Sequence, residues 1–574
     1  MSQWSISRLF PISGWLPNCS AASTRLDILA GIALAGLLVP EGMAYAGIAG
    51  VPPQMGLYAA AAGMFVYAVF GTSRQLAVTS TSSSAAMLAA LVSPLAVGDP
   101  AQYVLLASAT TVAVGLIFLA GGLLKLGSVS EFISRPVLKG FVFGLALTIM
   151  VKQAHKLTGI SGGQGNFFHQ TYHALASIQQ MNPWTCAVGA AAIAVMFLLE
   201  VFAPRIPSAL VVLVLGVLSA SWLGLKQHHV EVVGTIQAGM PSLRLPRIGE
   251  DNLAAIFVGS IGIVLVLTAE ALAAARTFAS KHKYEINPNQ ELCAMGAANI
   301  ASGLVGGIVV GGGMSGTAAN DSGGARTQFS TITSSVFVGV TLAFLLPLIS
   351  NLPEAVLGAI VVHAVAHLAD IGTLKYYARL RTGSIWISLI ALVGVLQMGI
   401  LKGLIFAVGI TLVIVMWKLS IPQDSVLGRL PGSPGNFIDV ERHPEAEQIP
   451  HLLIVRPNGM LFFANANRIH NRLRELTKPA GVPLHAVLIN LETTPEIDVT
   501  SLEMLEQLRT ELRESNIVLY LARVTDRVHD LLDRSGFTDR LGKDRIFPGV
   551  DSAVNAFLEN SISETVSLAQ TNHA

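Results

Sequence analysis

"VPEGMAYAGIAGVPPQMGLY", residues 39–58, puts a carboxylate, Glu41, directly after Pro40 in a stretch that otherwise reads as hydrocarbon. A charged side chain at the centre of a bilayer costs about 3 kcal/mol on insertion scales, so it calls for a partner or a function. Proline removes a backbone donor and obstructs regular helix. The pair therefore predicts a span broken near residues 39–42, with Glu41 turned to a cavity rather than to lipid. Composition supports a membrane setting. Of 574 residues 52% are hydrophobic and only 12% charged, about half the charged share of a soluble domain.

Apolar runs long enough to cross, or nearly cross, a bilayer fall near residues 26–49, 54–71, 75–93, 101–123, 132–153, 184–203 and 207–224. After the polar stretch 225–250, a second set follows near 251–275, 289–306, 312–324, 328–350, 353–369, 384–399 and 401–419. The expected fold is an α-helical polytopic membrane protein of fourteen spans. Seven spans per half make the halves, about 25–224 and 251–420, inverted repeats. Each half carries a lone glutamate, Glu41 and Glu270, and some 40 residues later a run of small polar residues or glycines. These runs are "AVTSTSSSAAM" (77–87) and "VGGIVVGGGMSGTAAN" (305–320). Interrupted segments at matching places in two halves mark a transporter's binding site. A helix starting after either run would aim free N–H groups and its positive dipole end at an anion. Small residues that merely let helices approach are the alternative reading.

Basic residues orient the chain. With the N-terminus inside, the inside loops hold eleven Lys and Arg, including Arg205 and Arg381. The outside loops hold six: Lys152, Lys156, Lys226, Arg244, Arg247 and Lys402. Both termini are then cytoplasmic, and the N-terminal 1–24 is a short cytoplasmic segment without a signal-peptide core. The expected location is the plasma membrane, the inner membrane in a bacterium. The Pro/Gly stretch Leu430 to Asn436 sits in a predicted linker, 421–440, before a soluble α/β domain over 441–562 and a tail over 563–574. There "HLLIVRP", "GMLFF", "HAVLIN" and "IVLYLA" read as strands, and three segments between or after them show helical spacing.

Other features argue against other functions. Net charge is +1, so no basic surplus points to nucleic acid. Cys19, Cys186 and Cys293 are scattered, without metal or disulfide spacing. His363, His367 and Asp370 have a spacing that would suit a metal, but a loop-end cluster is the commoner meaning, and no metal or organic cofactor is expected. No nucleophile–base pair emerges, so an enzyme is not expected. In the C-terminal domain Thr500 and Glu503 match a capping box at a helix start. Thr500 or Ser501 as a phosphate acceptor is the regulatory alternative.

Four stretches, "PEGMAYAGIAGVPPQMGLYAA", "FGTSRQLAV", "YEINPNQELCAMGAANIASGLVGG" and "GMSGTAANDSGGART", resemble signatures of the sulfate permease (SulP) family of anion transporters. "GMLFFANANRI", "IDVTSLEML" and "LLDRSGF" resemble its STAS domain. The resemblance implies core and gate domains that move in an elevator-like way, a homodimer, and a cytoplasmic STAS domain with a regulatory role. It implies an anion site from Tyr45, Ser80, Thr81, Met314, Ser315, Gly316 and Thr317, with Glu41 and Glu270 at the coupling positions. This chain departs from the family pattern twice: Thr79-Ser80 replaces a common Gly-Pro, and Gly316 a common arginine.

The expected function is secondary transport of a small anion, sulfate or a C4-dicarboxylate, by proton symport. The alternatives are a sodium-coupled bicarbonate transporter, an anion channel, or an anion sensor signalling through a soluble partner of the STAS domain.

Overall fold

The computed structural model describes residues 10–571 apart from 97, 128–133, 164, 204–205, 235–242, 244–249, 367, 381–382, 422–423, 434 and 479–482. His367 and the orienting residues Arg205, Arg244, Arg247 and Arg381 lie outside the described residues, as do much of 1–24 and the end of the 563–574 tail. The chain forms two compact units, Met1–Thr411 and Leu412–Ala574.

The first unit is helical. Its first half contains α1 (Ala21–Ala49), α2 (Pro53–Phe70), β1 (Val78–Thr79), α3 (Ser82–Val92), α4 (Pro100–Leu123), α5 (Arg135–Thr158), α6 (Phe167–Ala176), α7 (Pro183–Phe202) and α8 (Ser208–Trp222). Its second half contains α9 (Glu250–Lys281), α10 (Pro288–Leu304), β2 (Gly311–Gly312), α11 (Met314–Ser322), α12 (Phe329–Val340), α13 (Glu354–Ala366), α14 (Ile371–Leu380), α15 (Ser384–Met398) and α16 (Ile400–Ser420). Seven helical stretches are long and apolar enough to cross a membrane by length and composition, and five shorter apolar ones accompany them among the described residues. The two polar runs become a short strand followed by a half-length helix, β1–α3 and β2–α11. The strands pair antiparallel, Val78 opposite Gly312 and Thr79 opposite Gly311.

The proline reading needs correction. Helix α1 runs unbroken from Ala21 to Ala49 with Pro40 inside it. Pro40 cannot donate to the carbonyl of Gly36, yet the flanking turns and tight packing hold the helix together. The packing is close because both helices carry glycine at the crossing. A Cβ on Gly56 of α2 would lie 1.9 Å from the Gly42 carbonyl oxygen.

The helices pack in two groups. Helices α1, α2, α4, α9, α10 and α12 form one, with α4 along α10 and α1 along α12 and α2. Helices α5, α7, α8, α13 and α15 form the other, with α13 against both α5 and α7. Helix α1 lies at the seam, touching α13 and α8 of the second group.

The second unit carries a six-stranded sheet in the order β4-β3-β5-β6-β7-β8. Its strands are β3 (Asp424–Arg429), β4 (Phe437–Asp439), β5 (Leu452–Pro457), β6 (Ala486–Asn490), β7 (Val518–Ala522) and β8 (Ile546–Phe547). Strands β5 to β8 are parallel, and the β3–β4 hairpin is antiparallel. The helices are α17 (Ala466–Leu476), α18 (Val499–Glu514), α19 (Asp526–Arg534), α20 (Phe537–Leu541) and α21 (Val550–Thr571). Alternating strands and helices with apolar inner faces bury Leu473, Leu505, Leu521 and Leu532 in one core.

Three readings change here. The predicted linker 421–440 is largely the β3–β4 hairpin, so Leu430 to Asn436 is a turn inside the domain. Its Ser425 hydroxyl bonds Asp439 at 2.7 Å and holds that carboxyl below the usual carboxylate range. "GMLFF" is not a strand: Leu461 makes one bridge, to Ile497, before the chain turns into α17. The predicted break between 562 and 563 falls inside α21.

Candidate functional site

The β1–β2 pair brings two helix N-termini together, and its tightness follows from glycine. A Cβ on Gly312 would lie 2.8 Å from the Ala271 side chain, so only glycine lets β2 run this close to α9. Side chains brace the crossing. Asn299 donates to the Val310 carbonyl and accepts from its N–H, each at 3.0 Å, standing in for a neighbouring strand. The Ala77 N–H donates to Thr317 Oγ1 at 3.2 Å, and that hydroxyl donates to the Gly313 carbonyl at 2.6 Å. Thr317 is fully buried, and both of these bonds are structural.

The α3 end is closed by its own side chains. Thr81 Oγ1 accepts from the Ser84 N–H at 3.1 Å, and Ser84 Oγ accepts from the Thr81 N–H at 2.9 Å. This is a capping box. Thr81 Oγ1 also lies 2.9 Å from Ser83 Oγ, which donates to Glu270 at 2.7 Å. Glu270 is thereby tied across from α9 to the start of α3. Ser80, 1% exposed, has a hydroxyl with no protein partner among the described residues.

The α11 end is open. Gly313 caps it without a side chain, so the N–H groups of Met314, Ser315 and Gly316 have no side-chain acceptor there. Met314 and Ser315 are exposed. Gly316 is buried, yet a Cβ there would make only ordinary contacts, 3.5 Å to Ala77 and 3.7 Å to Leu38. Its lack of a side chain leaves space beside the helix end.

Glu41 faces that end. A cavity of about 180 Å³ is lined by Leu37, Glu41, Met196, Ala209, Ser315 and His363, among others. Tyr45 lies one turn along α1 from Glu41, on the same helix. Glu41 is 8% and Tyr45 6% exposed. The cavity lies at the seam between the two helix groups, where a carboxyl, an uncapped helix end and an imidazole meet. Such an arrangement can bind an anion and hold a proton beside it.

His363 and Asp370, whose spacing would suit a metal but whose commoner meaning is a loop-end cluster, make separate contacts. His363 pairs with Glu200 at 3.1 Å, while Asp370 accepts from the Thr373 N–H at 3.0 Å and pairs with Lys139 at 3.4 Å. In the STAS domain the cap of α18 is Asp498, not Thr500. Its Oδ1 accepts from the Ser501 N–H at 2.8 Å and the Ser501 hydroxyl at 2.7 Å. The T-x-x-E spacing misled because the helix begins one residue before Thr500, at Val499. Ser501 is fully buried, and Thr500 half-buried.

Sequence reasoning passed over Ser83 and two buried carboxylates. Glu291, 1% exposed, accepts from the Tyr67 hydroxyl at 2.5 Å, the Thr72 N–H at 2.7 Å, the Thr72 hydroxyl at 2.5 Å and the Ser73 N–H at 3.0 Å. Asp27, fully buried, accepts from the Arg326 N–H at 2.6 Å, the Thr327 N–H at 3.1 Å and the Thr327 hydroxyl at 2.7 Å. A lone carboxylate in an apolar helix was the available signal for both.

Residues 25–391 match the sulfate permease family, and residues 443–553 match the STAS domain. A probable sulfate transporter of Mycobacterium tuberculosis is 34% identical over 551 residues, 95% of this chain and 98% of its own length. The chloroplastic sulfate transporter 4.1 of Arabidopsis thaliana is 30% identical, over 96% of this chain and 83% of its own. The inward-facing murine anion transporter Slc26a9 shares the fold, with a TM-score of 0.88 at 20% identity over 96% of each chain. The transmembrane domain of the cyanobacterial bicarbonate transporter BicA aligns with a TM-score of 0.61 at 25% identity, covering 68% of this chain and 99% of that one. A helical membrane unit with two strand-led half-helices, followed by a STAS domain, and this near full-length likeness make the chain a member of the sulfate permease family, a multi-pass anion transporter and not an enzyme.

Proposed function

We propose that the protein is a proton-coupled symporter of a small oxyanion, of the sulfate or C4-dicarboxylate class. The observation that carries this reading is the Glu41 cavity, where a buried carboxyl faces the uncapped start of α11 across about 180 Å³. The anion docks on the N–H groups of residues 314–316 and the Ser315 hydroxyl. A proton on Glu41 removes the carboxylate's repulsion of the docked anion, so the loaded site crosses with one negative charge fewer, the α11 N-terminus offsetting part of the rest. The group holding α1, β1–α3 and β2–α11 acts as the moving core, and the α5–α7–α8–α13–α15 group as the gate, in an elevator-like shift. Fourteen spans as two inverted seven-span repeats place both termini in the cytoplasm. The working form is a homodimer in the plasma membrane, with a regulatory STAS domain in which Thr500, half-buried, is the more accessible of the two hydroxyls, Ser501 being buried against Asp498.

The test is uptake of labelled sulfate, fumarate and bicarbonate into proteoliposomes under an imposed inside-alkaline gradient. Uptake of one anion that stops when the gradient is collapsed supports the reading. Uptake indifferent to the gradient defeats proton coupling.

One observation favours a second reading. Glu270, Ser83 and Thr81 form a chain of oxygen ligands beside the unpartnered Ser80 hydroxyl. Hard cations take such donors, so sodium-coupled bicarbonate uptake is the rival. A strict sodium requirement, lost in Ser83→Ala, would select it.

A further inference from the structure

A second cavity, of about 300 Å³, opens beside the far end of α1. Its lining includes Lys152, His155 and Lys156 of α5, Gln170 and His173 of α6, and Gly47 of α1. Among the described residues, no Asp or Glu lines it. The lysines were read as loop residues from sequence, but both lie within α5 and are half-buried.

The charges do not cancel. Lys156 pairs with Glu354 at 3.4 Å, at the first turn of α13. Glu231 is the other acid facing this cluster, near His155. Lys152 has no ion-pair partner among the described residues. His155 Nδ1 lies 2.6 Å from the Lys152 carbonyl, so it carries the hydrogen and leaves Nε2 as the ring's remaining polar atom. His173 Nδ1 is buried and has no partner among the described residues. Half-buried cations and an orphaned ring nitrogen around a carboxylate-free space form a site complementary to an anion.

The cavity also adjoins the transport helix. A Cβ on Gly47 would lie 3.3 Å from Lys156 Nζ, so the ammonium rests on the α1 backbone. Gly47 is six residues beyond Glu41, about 9 Å along the helix. Ala86, in the second turn of α3, lines the same space.

We propose that this cavity is a second anion site, at the membrane face where α1 ends, that gathers small oxyanions such as sulfate next to the transport path. It rests on the anion transport of the family and does not require proton coupling. Lys152 supplies the uncancelled charge and His173 a ring nitrogen, while the Gln170 amide already donates to the Gly165 carbonyl at 2.7 Å and serves to shape the wall.

The experiment measures local potential rather than transport. In full-length protein in lipid nanodiscs, with Cys19, Cys186 and Cys293 changed to Ser, a single cysteine is placed by Ser161→Cys, which lines the cavity. A control carries Gln179→Cys, an exposed position between α6 and α7. Each reacts with an anionic sulfonatoethyl and a cationic trimethylammonioethyl methanethiosulfonate at low ionic strength. The expected anionic-to-cationic rate ratio at residue 161 exceeds that of the control about fivefold. Added sulfate lowers the anionic rate, Lys152→Gln removes most of the preference, and Lys152→Arg keeps it. A ratio equal to the control, or one unchanged by Lys152→Gln, overturns the proposal. Loss of gradient-driven uptake with this preference intact counts against proton coupling and leaves the site standing.

Discussion

Helices α3 and α11 start side by side at the same strand crossing, yet their first turns are built in opposite ways. The α3 end is filled by Thr81 and Ser84, which satisfy each other's backbone, and by Ser83, which holds Glu270. The α11 end starts at Gly313 with no side-chain cap and faces the Glu41 cavity. A capped helix end has already spent its first N–H groups on its own side chains, so it offers an anion less than an uncapped one. The comparison assigns the two glutamates different surroundings: Glu270 is held in a hydroxyl network, and Glu41 looks across open space. The loops leading to each arm differ too. Glu291 gathers the loop before β1, and Asp27 the loop after α11.

The largest expected effect comes from breaking the support of the α3 arm. Glu291→Ala leaves four donors around Tyr67, Thr72 and Ser73 without their acceptor, a loss of about 3 kcal/mol or more. Thermal unfolding of the detergent-solubilised protein should show a drop of many degrees, and an unchanged midpoint would contradict the structural role. Next, two glycines separate packing from site. Gly312→Ala drives a methyl to 2.8 Å from Ala271 and should cost about 1–3 kcal/mol. Gly316→Ala meets nothing closer than 3.5 Å and should leave the unfolding midpoint nearly unchanged. Equal effects from the two would erase the distinction between the tightly packed β2 strand and the open start of α11.

Function sharpens the same contrast. Glu41→Gln should reduce gradient-driven accumulation at least about tenfold, equivalent to about 1.4 kcal/mol, while anion exchange without a gradient persists. Full pH-driven accumulation by that variant would remove Glu41 from the coupling role. The smallest effect belongs to the caps. Thr81→Ala opens the α3 end and should lower stability by about 1 kcal/mol, and Asp498→Ala should do the same at α18. Thr500→Ala, by contrast, should be close to neutral for stability, because Asp498 is the cap.

Much of this was legible in the residues. Glu41, Glu270 and the two polar runs stand out against hydrocarbon, and the runs do become strand-led half-helices. The rest failed where one local signal has several tertiary outcomes. Pro40 signalled a break, but packing at Gly42 and Gly56 carried the helix through it. Lone intramembrane carboxylates signalled function, yet Asp27 and Glu291 are held by loop N–H groups from residues some 220 to 300 positions away. Nothing near them in sequence announces those partners.

The sequence by itself determined which segments are apolar, where the small polar residues interrupt them, and the family, because these depend on composition, spacing and motif. Tertiary structure decided which helix end is capped and which is open, that Glu41 shares a cavity with Ser315 and His363, and that Lys152 and Lys156 line a second one. Those outcomes depend on contacts between distant segments, and a side chain's partner is set by where the other helices place their own groups, not by its neighbours along the chain.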